Sequence, residues 1–208
     1  INGLTFTADG GALGAPGKVN VALGEFSMSN LKDTLFGNTR LSGLKGDFDI
    51  PAEAMGMPVK GTFDFGASDI KNLRGKLFEE AIMAGMAAAS DPAAMAGLNS
   101  KIMAALGSPI DPGYDAFTWS GMNIDASGAK LAVSKVDQKV TRNAEGIATA
   151  ISSPRTTLTF SADSAGGAVG QQLTLGLAMV GYPSSTIELY GEGEATYDPA
   201  TDTTRYVK

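Results

Sequence analysis

Apolar and polar residues alternate one for one, in short runs bounded by Gly, Pro and Asp, along most of this chain. A two-residue period puts the apolar side chains of an extended run on one side, so it demands a sheet with one apolar and one polar face. Leu4 to Ala8, Lys18 to Leu23, Glu25 to Met28, Thr39 to Leu44 and Gly46 to Ile50 carry the pattern, and Pro51 ends the last of them. Pro58 to Phe65 is a further run, with a break expected at Gly61. Residues 1–71 therefore read as an antiparallel meander.

Residues 108–208 repeat the theme. Ala116 to Ser120 and Met122 to Asp125 are strands, and Ala126-Ser127-Gly128 is a hairpin turn. In Lys130 to Val140 the apolar positions Leu131 and Val133 give way to Val136 and Val140, a change of phase that predicts a bulge. Asn143 to Gly146 turns the chain into Ile147 to Ile151 and Thr156 to Ser161. Thr186 to Tyr190 and Glu192 to Tyr197 follow, and Asp198 to Asp202 is a turn. Gln171 to Val180, with Leu173, Leu177 and Val180 at helical spacing, predicts a short helix. Leu4-Thr-Phe-Thr-Ala-Asp9 echoes Leu158-Thr-Phe-Ser-Ala-Asp163, and a Gly-rich turn follows each, which raises a duplicated unit.

One stretch, residues 72–107, breaks the period. Leu77, Phe78, Ala81, Ile82 and Met86 recur at three- and four-residue steps, and Met95, Leu98, Ile102 and Leu106 do so again. Asp91-Pro92 suits the start of the second helix, and Gly107 with Pro109 suits its end. The prediction is an αα-hairpin packed on the sheet, within a single β-rich α+β domain of curved antiparallel meanders. If the hairpin does more than cap the sheet, Phe78, Ile82, Met83, Met86, Met95, Ile102 and Met103 are the residues that would line a groove for an apolar ligand, since Met gives a soft, adaptable surface. Neither helix has the run of about 20 apolar residues that a bilayer requires.

Composition narrows the chemistry. The chain has no His and no Cys, so the commonest general base, the commonest transition-metal ligand and thiol chemistry are missing. A formal charge of −6 argues against non-specific nucleic-acid binding. Ser68-Asp-Ile-Lys71 and Ser127-Gly-Ala-Lys130 match the spacing of a Ser–Lys nucleophile but lack its companion motifs. The acidic pairs Asp47/Asp49, Glu79/Glu80, Asp111/Asp115, Glu192/Glu194 and Asp198/Asp202 read first as solvated faces and turns; Glu192 and Glu194, sharing a strand face, are the pair that could act together. Gly166-Gly167-Ala-Val-Gly170 lacks the Lys and the βαβ context of a phosphate loop. Trp119 and Phe117 read as core. No metal, cofactor or catalytic residue is assigned.

Leu41 to Pro51, Leu175 to Tyr182 and Tyr197 to Arg205 resemble segments of AsmA- and YdgA-like bacterial envelope proteins. That resemblance implies a periplasmic, β-rich protein with a curved sheet and a lipid-handling groove. The abundance of Gly, Ala, Ser, Thr and Asp fits a periplasmic, cell-surface or secreted protein, and strand-like segments at both ends suggest a piece of a longer chain. The expected function is non-enzymatic binding or carriage of a lipid or other hydrophobic ligand. The alternative is a structural module that assembles with itself or another envelope protein through strand edges.

Overall fold

The computed structural model describes residues 2–9, 17–32, 35–75, 106–182 and 185–208. Thirteen strands form one antiparallel sheet: β1 Asn2–Asp9, β2 Lys18–Lys32, β3 Leu35–Ser42, β4 Leu44–Ile50, β5 Val59–Phe65, β6 Ser68–Arg74, β7 Ala116–Trp119, β8 Met122–Ala126, β9 Ala129–Val133, β10 Val136–Arg142, β11 Ala148–Ala162, β12 Thr186–Asp198 and β13 Thr203–Tyr206. The described helices are α1, Ala52–Met55, and α2, Ala168–Met179. The helix expected near Gln171 is thus present.

The pairing is simpler than thirteen strands suggest. β2 pairs with β3 at Glu25↔Ser42 and with β4 at Ala22↔Lys45, three residues further on in both chains, so the register is unchanged. β3 and β4 are therefore one long path interrupted at Gly43. β6 and β5 repeat this against β3 and β4, β7 and β8 against those, and β10 and β9 against those in turn. The unbroken β11 spans both halves of the last path. The sheet is an up-and-down meander of nine passes in which every neighbour in space is a neighbour in sequence.

A crease crosses this meander. Gly24 N–H donates to Gly43 carbonyl at 3.1 Å, Gly66 N–H to Gly121 carbonyl at 2.8 Å, and Ser134 N–H to Thr157 carbonyl at 2.8 Å. On each pass the apolar alternation resumes one residue out of phase beyond the crease. Val19, Val21 and Leu23 give way to Phe26 and Met28; Leu44 to Leu41; Met122 to Trp119; Val133 to Val136. The bulge expected between Val133 and Val136 is one point on this line. Gly43 and Gly121 have φ of 67° and 102°, a region that side chains with a Cβ rarely enter. A Cβ on Gly121 would also stand 2.2 Å from Val133 carbonyl oxygen.

Below the crease the apolar face is continuous. Val21, Gly46, Phe63, Ile124, Leu131, Phe160 and Ile187 lie opposite one another in successive passes. Two glycines in it are covered by aromatic rings from the facing strand: Phe63 reaches over Gly46 and Phe48 over Gly61. Phe63 also meets Phe65 edge to face, with ring centroids 5.6 Å apart.

Several expectations need correction. Gly61 does not break its strand; it pairs with Phe48 and Ala126. The helical stretch does not begin at Asn72, because β6 continues to Arg74 and pairs Leu73 with Phe36 and Arg74 with Leu35. Cross-strand hydrogen bonds and apolar pairing override helix propensity there. Lys18 to Met28 is one strand rather than two, and the two runs expected between Ile147 and Ser161 merge into the single β11, whose register shifts between Ser153 and Thr156. Pro154 falls within that irregularity, where a missing N–H is tolerated. The remainder of the αα-hairpin falls on residues 76–105, outside the described residues, as does the Gly-rich turn of the first echo.

The crease yields a direct test. Gly121→Ala should lower stability by about 2–4 kcal/mol through positive φ and backbone overlap, measured by urea unfolding. Gly146→Ala has φ of 82° but meets nothing within 4 Å, so it should cost only about 1 kcal/mol.

Candidate functional site

One open cavity lies along the strands of the sheet. It encloses about 750 Å³ and reaches from Thr5 on β1 to Thr159 and Ser161 on β11, across seven of the nine passes. That volume is in the range of small-molecule sites. Its lining combines the strand segments at Val21, Gly46, Phe63, Ile124 and Leu131 with the polar rows on either side of them. One row runs Asn20, Asp47, Thr62, Asp125, Lys130, Ser161; the other Ala22, Lys45, Asp64, Asn123, Ala132, Thr159. Ala22 and Ala132 keep the floor low, so main-chain carbon is accessible between the polar heads.

The first row is partly self-satisfied. Asn20 Nδ2 donates to Asp47 Oδ1 at 2.8 Å, and Lys130 Nζ lies 3.6 Å from Asp125 Oδ2. In the second row the side chains of Lys45, Asp64 and Asn123 have no hydrogen-bond or ion-pair partner among the described residues. The arrangement offers a carbon-rich floor with a cation, a carboxylate and an amide free to meet a ligand. A smaller cavity of about 340 Å³ adjoins it, sharing Lys130 and Ser161 and closed on one side by Thr174 of α2.

The sequence-level candidates sort differently. Ser127 Oγ accepts Lys60 N–H at 2.9 Å and donates to Lys60 carbonyl at 3.1 Å, while Lys130 pairs with Asp125. Ser127 (φ 49°) and Gly128 (φ 90°) form the two-residue hairpin turn, as expected. In the other Ser–Lys match, Lys71 Nζ donates to Asn38 Oδ1 at 2.7 Å. Gly166 and Gly170 are packing glycines: a Cβ on Gly170 would stand 2.1 Å from Asp163 carbonyl oxygen, and one on Gly166 2.8 Å from Gly128 Cα. They let the start of α2 sit on the β8–β9 turn. Asp198 accepts Ala200 N–H and Thr201 Oγ, both at 2.9 Å, within its own turn, and those bonds hold its carboxyl below the ordinary range. Glu192 lies 3.8 Å from Lys208 Nζ. The ligand residues expected on the hairpin, Phe78, Ile82, Met83, Met86, Met95, Ile102 and Met103, lie outside the described residues.

The pair Asp111/Asp115 proves to be half of an ionic cluster. The Asp111 side chain is fully buried. Arg142 grips it with both terminal nitrogens, at 2.5 Å and 3.0 Å, and donates Nε to Asp115 Oδ1 at 2.6 Å. The remaining guanidinium donors reach Gly146 and Tyr114 carbonyls at 3.1 Å and 3.0 Å. Arg74 Nη2 adds a second cation 3.3 Å from Asp111 Oδ2, and Asn72 Nδ2 donates to Asp115 Oδ2 at 2.7 Å. Burial raises the Asp115 carboxyl, but the bonds from Arg142 and Asn72 and the nearby guanidinium charges outweigh it, so its pKa falls below 3.8. The Asp111 bonds in turn raise the Arg142 pKa. With Ser108 Oγ donating to Ala148 carbonyl at 2.8 Å, the cluster ties the chain that re-enters at Leu106 to β6, β10 and β11. Its charges satisfy one another, which marks it as a structural joint. The groove polar rows and the arginine partners are what sequence reasoning missed; the strict alternation of Lys45, Asp47 and Asp49 was the one available signal.

No family model, curated protein or solved structure matches this chain.

Removing Arg142 should be costly, because it strands a buried carboxylate: Arg142→Ala is expected to lose about 3–5 kcal/mol, and Arg142→Lys should not recover it, lacking the bidentate fork. Both are read by urea unfolding. Asp115 is harder to protonate folded than unfolded, so its stabilisation is full above the ordinary carboxylate range and is lost as pH falls through its lowered pKa. Unfolding midpoints should decline below about pH 4, and Asp115→Asn should flatten that decline.

Proposed function

We propose that this chain is a non-enzymatic binding protein of the bacterial envelope whose curled sheet takes a lipid-like ligand. The groove carries the reading. It offers carbon surface along its floor for a hydrocarbon portion, and Lys45, Asp64 and Asn123, without partners among the described residues, for a polar head. The occupied state of Ser127, Asp198 and the Asp111–Arg142 cluster supports a binding role over hydrolysis. Placement in the periplasm or at the cell surface rests on composition and on the resemblance to AsmA- and YdgA-like proteins.

Native mass spectrometry of protein purified from its source, followed by organic extraction, tests this. The expected result is an adduct released on denaturation. Ala22→Trp with Ala132→Trp fills the groove floor and should abolish the adduct while leaving the circular dichroism spectrum and unfolding midpoint unchanged. An adduct that survives in the filled variant would remove the groove from the reading, and extracts free of lipid would overturn it.

A further inference from the structure

α2, in the link between β11 and β12, is anchored along one side only. Gly170 is buried against the β8–β9 turn, its N–H donating to Ser127 carbonyl at 3.0 Å, and Leu173 and Leu177 are half-buried on the same side. At about 100° per residue, Gln172, Leu175 and Met179 fall on the opposite side. A surface helix ordinarily shows charged or polar groups there. Here polarity changes along the helix instead of around it. Gln171, Gln172 and Thr174 stand in its first half, and from Leu175 to Gly181 no side chain carries a charge or a hydrogen-bond donor. Met179 is 87% exposed, Val180 75% and Leu175 59%. The stretch without charge is longer still: the 24 residues from Ser164 to Ile187, in a chain that is 18% Asp, Glu, Lys and Arg. The tip also closes its own backbone. Tyr182 N–H donates to Leu177 carbonyl at 2.9 Å and Gly181 N–H, at φ 79°, to Ala178 carbonyl at 3.1 Å, the paired bonds of a Schellman end. Those groups need no water, which is what an apolar surrounding requires of a backbone.

We propose that the tip of α2, Leu175 to Tyr182, docks on a lipid bilayer with zwitterionic headgroups, with Leu175, Met179 and Val180 entering the boundary between headgroups and acyl chains. A protein partner is recognised by hydrogen bonds and a polar rim around an apolar centre, and the tip offers no side-chain donor before Tyr182. A fluid hydrocarbon surface asks for none. Tyr182, half-exposed, has the apolar ring and hydroxyl that suit the water boundary. Helices that bind anionic lipid carry Lys or Arg on a polar face; α2 has neither, and the chain charge of −6 opposes an anionic surface. The attraction is therefore apolar and independent of salt. Thr174 of α2 also lines the smaller cavity beside the groove, so the docked tip holds the groove close to the bilayer.

The test floats the whole chain with phosphatidylcholine vesicles. Co-flotation should persist at about 1 M salt, where the Debye length is only about 3 Å. Trp119 in β7 is the sole Trp of the chain, so Met179→Trp adds a reporter at the tip. Its fluorescence should shift to the blue and be quenched by brominated acyl chains, while the unsubstituted chain shows neither change. Leu175→Glu with Met179→Glu should weaken vesicle binding on the order of tenfold or more without shifting the unfolding midpoint, since both side chains are exposed in the free protein. No co-flotation, co-flotation that needs anionic lipid or is lost with salt, or equal binding by the double glutamate variant would each overturn the proposal. So would self-association through the same residues that leaves vesicles unbound. The groove-filled chain, Ala22→Trp with Ala132→Trp, should still float, so failure of the ligand-binding reading leaves this docking standing.

Discussion

The ladder of main-chain hydrogen bonds between sequence neighbours is what the rest of the molecule depends on. Each pass pairs with the one before it, and the longer connections are the insertion between β6 and β7 and the link that carries α2 between β11 and β12. Few side chains are deeply buried: Val59, Leu106, Ala148, Ala162 and Ala195 are the apolar residues in that class among those described. Burial energy is therefore spread thinly over many half-exposed Phe, Leu, Ile and Val side chains. Register has to be held by other means, and an unbroken backbone ladder with an amphipathic pattern on both sides does this, because a one-residue slip would turn every apolar side chain over.

The crease fits the same logic. A long two-layer protein can bend its sheet around a core, whereas a meander with little buried mass must bend at defined backbone sites. Gly24, Gly43, Gly66 and Gly121 bring main chains together where Cβ atoms would collide, and the alternation restarts one residue later on each pass. Because the break is aligned across neighbouring strands from β2 to β11, the register on either side is preserved there; between β11 and β12 it shifts by one residue. The crease is thus a consequence of where glycine was placed, and the apolar face uses the same device at Gly46, where the Phe63 ring takes the place of a side chain.

Much of this was legible in the residues and some was not. Alternation located most strands, the turn at Ser127-Gly128 and the helix after Ala168, since those features depend on local periodicity and local φ. The crease showed itself only at Val133/Val136; Gly24 and Gly121 read as strand ends, and Gly43 fell inside the run Thr39 to Leu44. The end of β6 was hidden because Asn72 and Arg74 look like the opening of the helical stretch that follows. Its strand state comes from β3 and from the bonds of Arg40 to Asp69 and Lys71 to Asn38, which connect residues about 30 positions apart. The candidate site was unreadable for a similar reason. Its rows join residues from Asn20 to Ser161, and no local motif marks them.

The Asp111–Arg142 joint shows how an acidic pair in a sequence can mislead and still inform. Two carboxylates four residues apart invite a catalytic or metal reading. Here one is fully buried and both answer to a single guanidinium whose donors are all engaged. An arginine so committed cannot also bind a substrate carboxylate or phosphate without abandoning Asp111 to burial. In the second groove row, by contrast, Lys45, Asp64 and Asn123 stand on adjacent passes with their polar atoms unengaged among the described residues. That difference in commitment, more than residue type or spacing, separates the groups that hold this fold together from those free to meet a ligand.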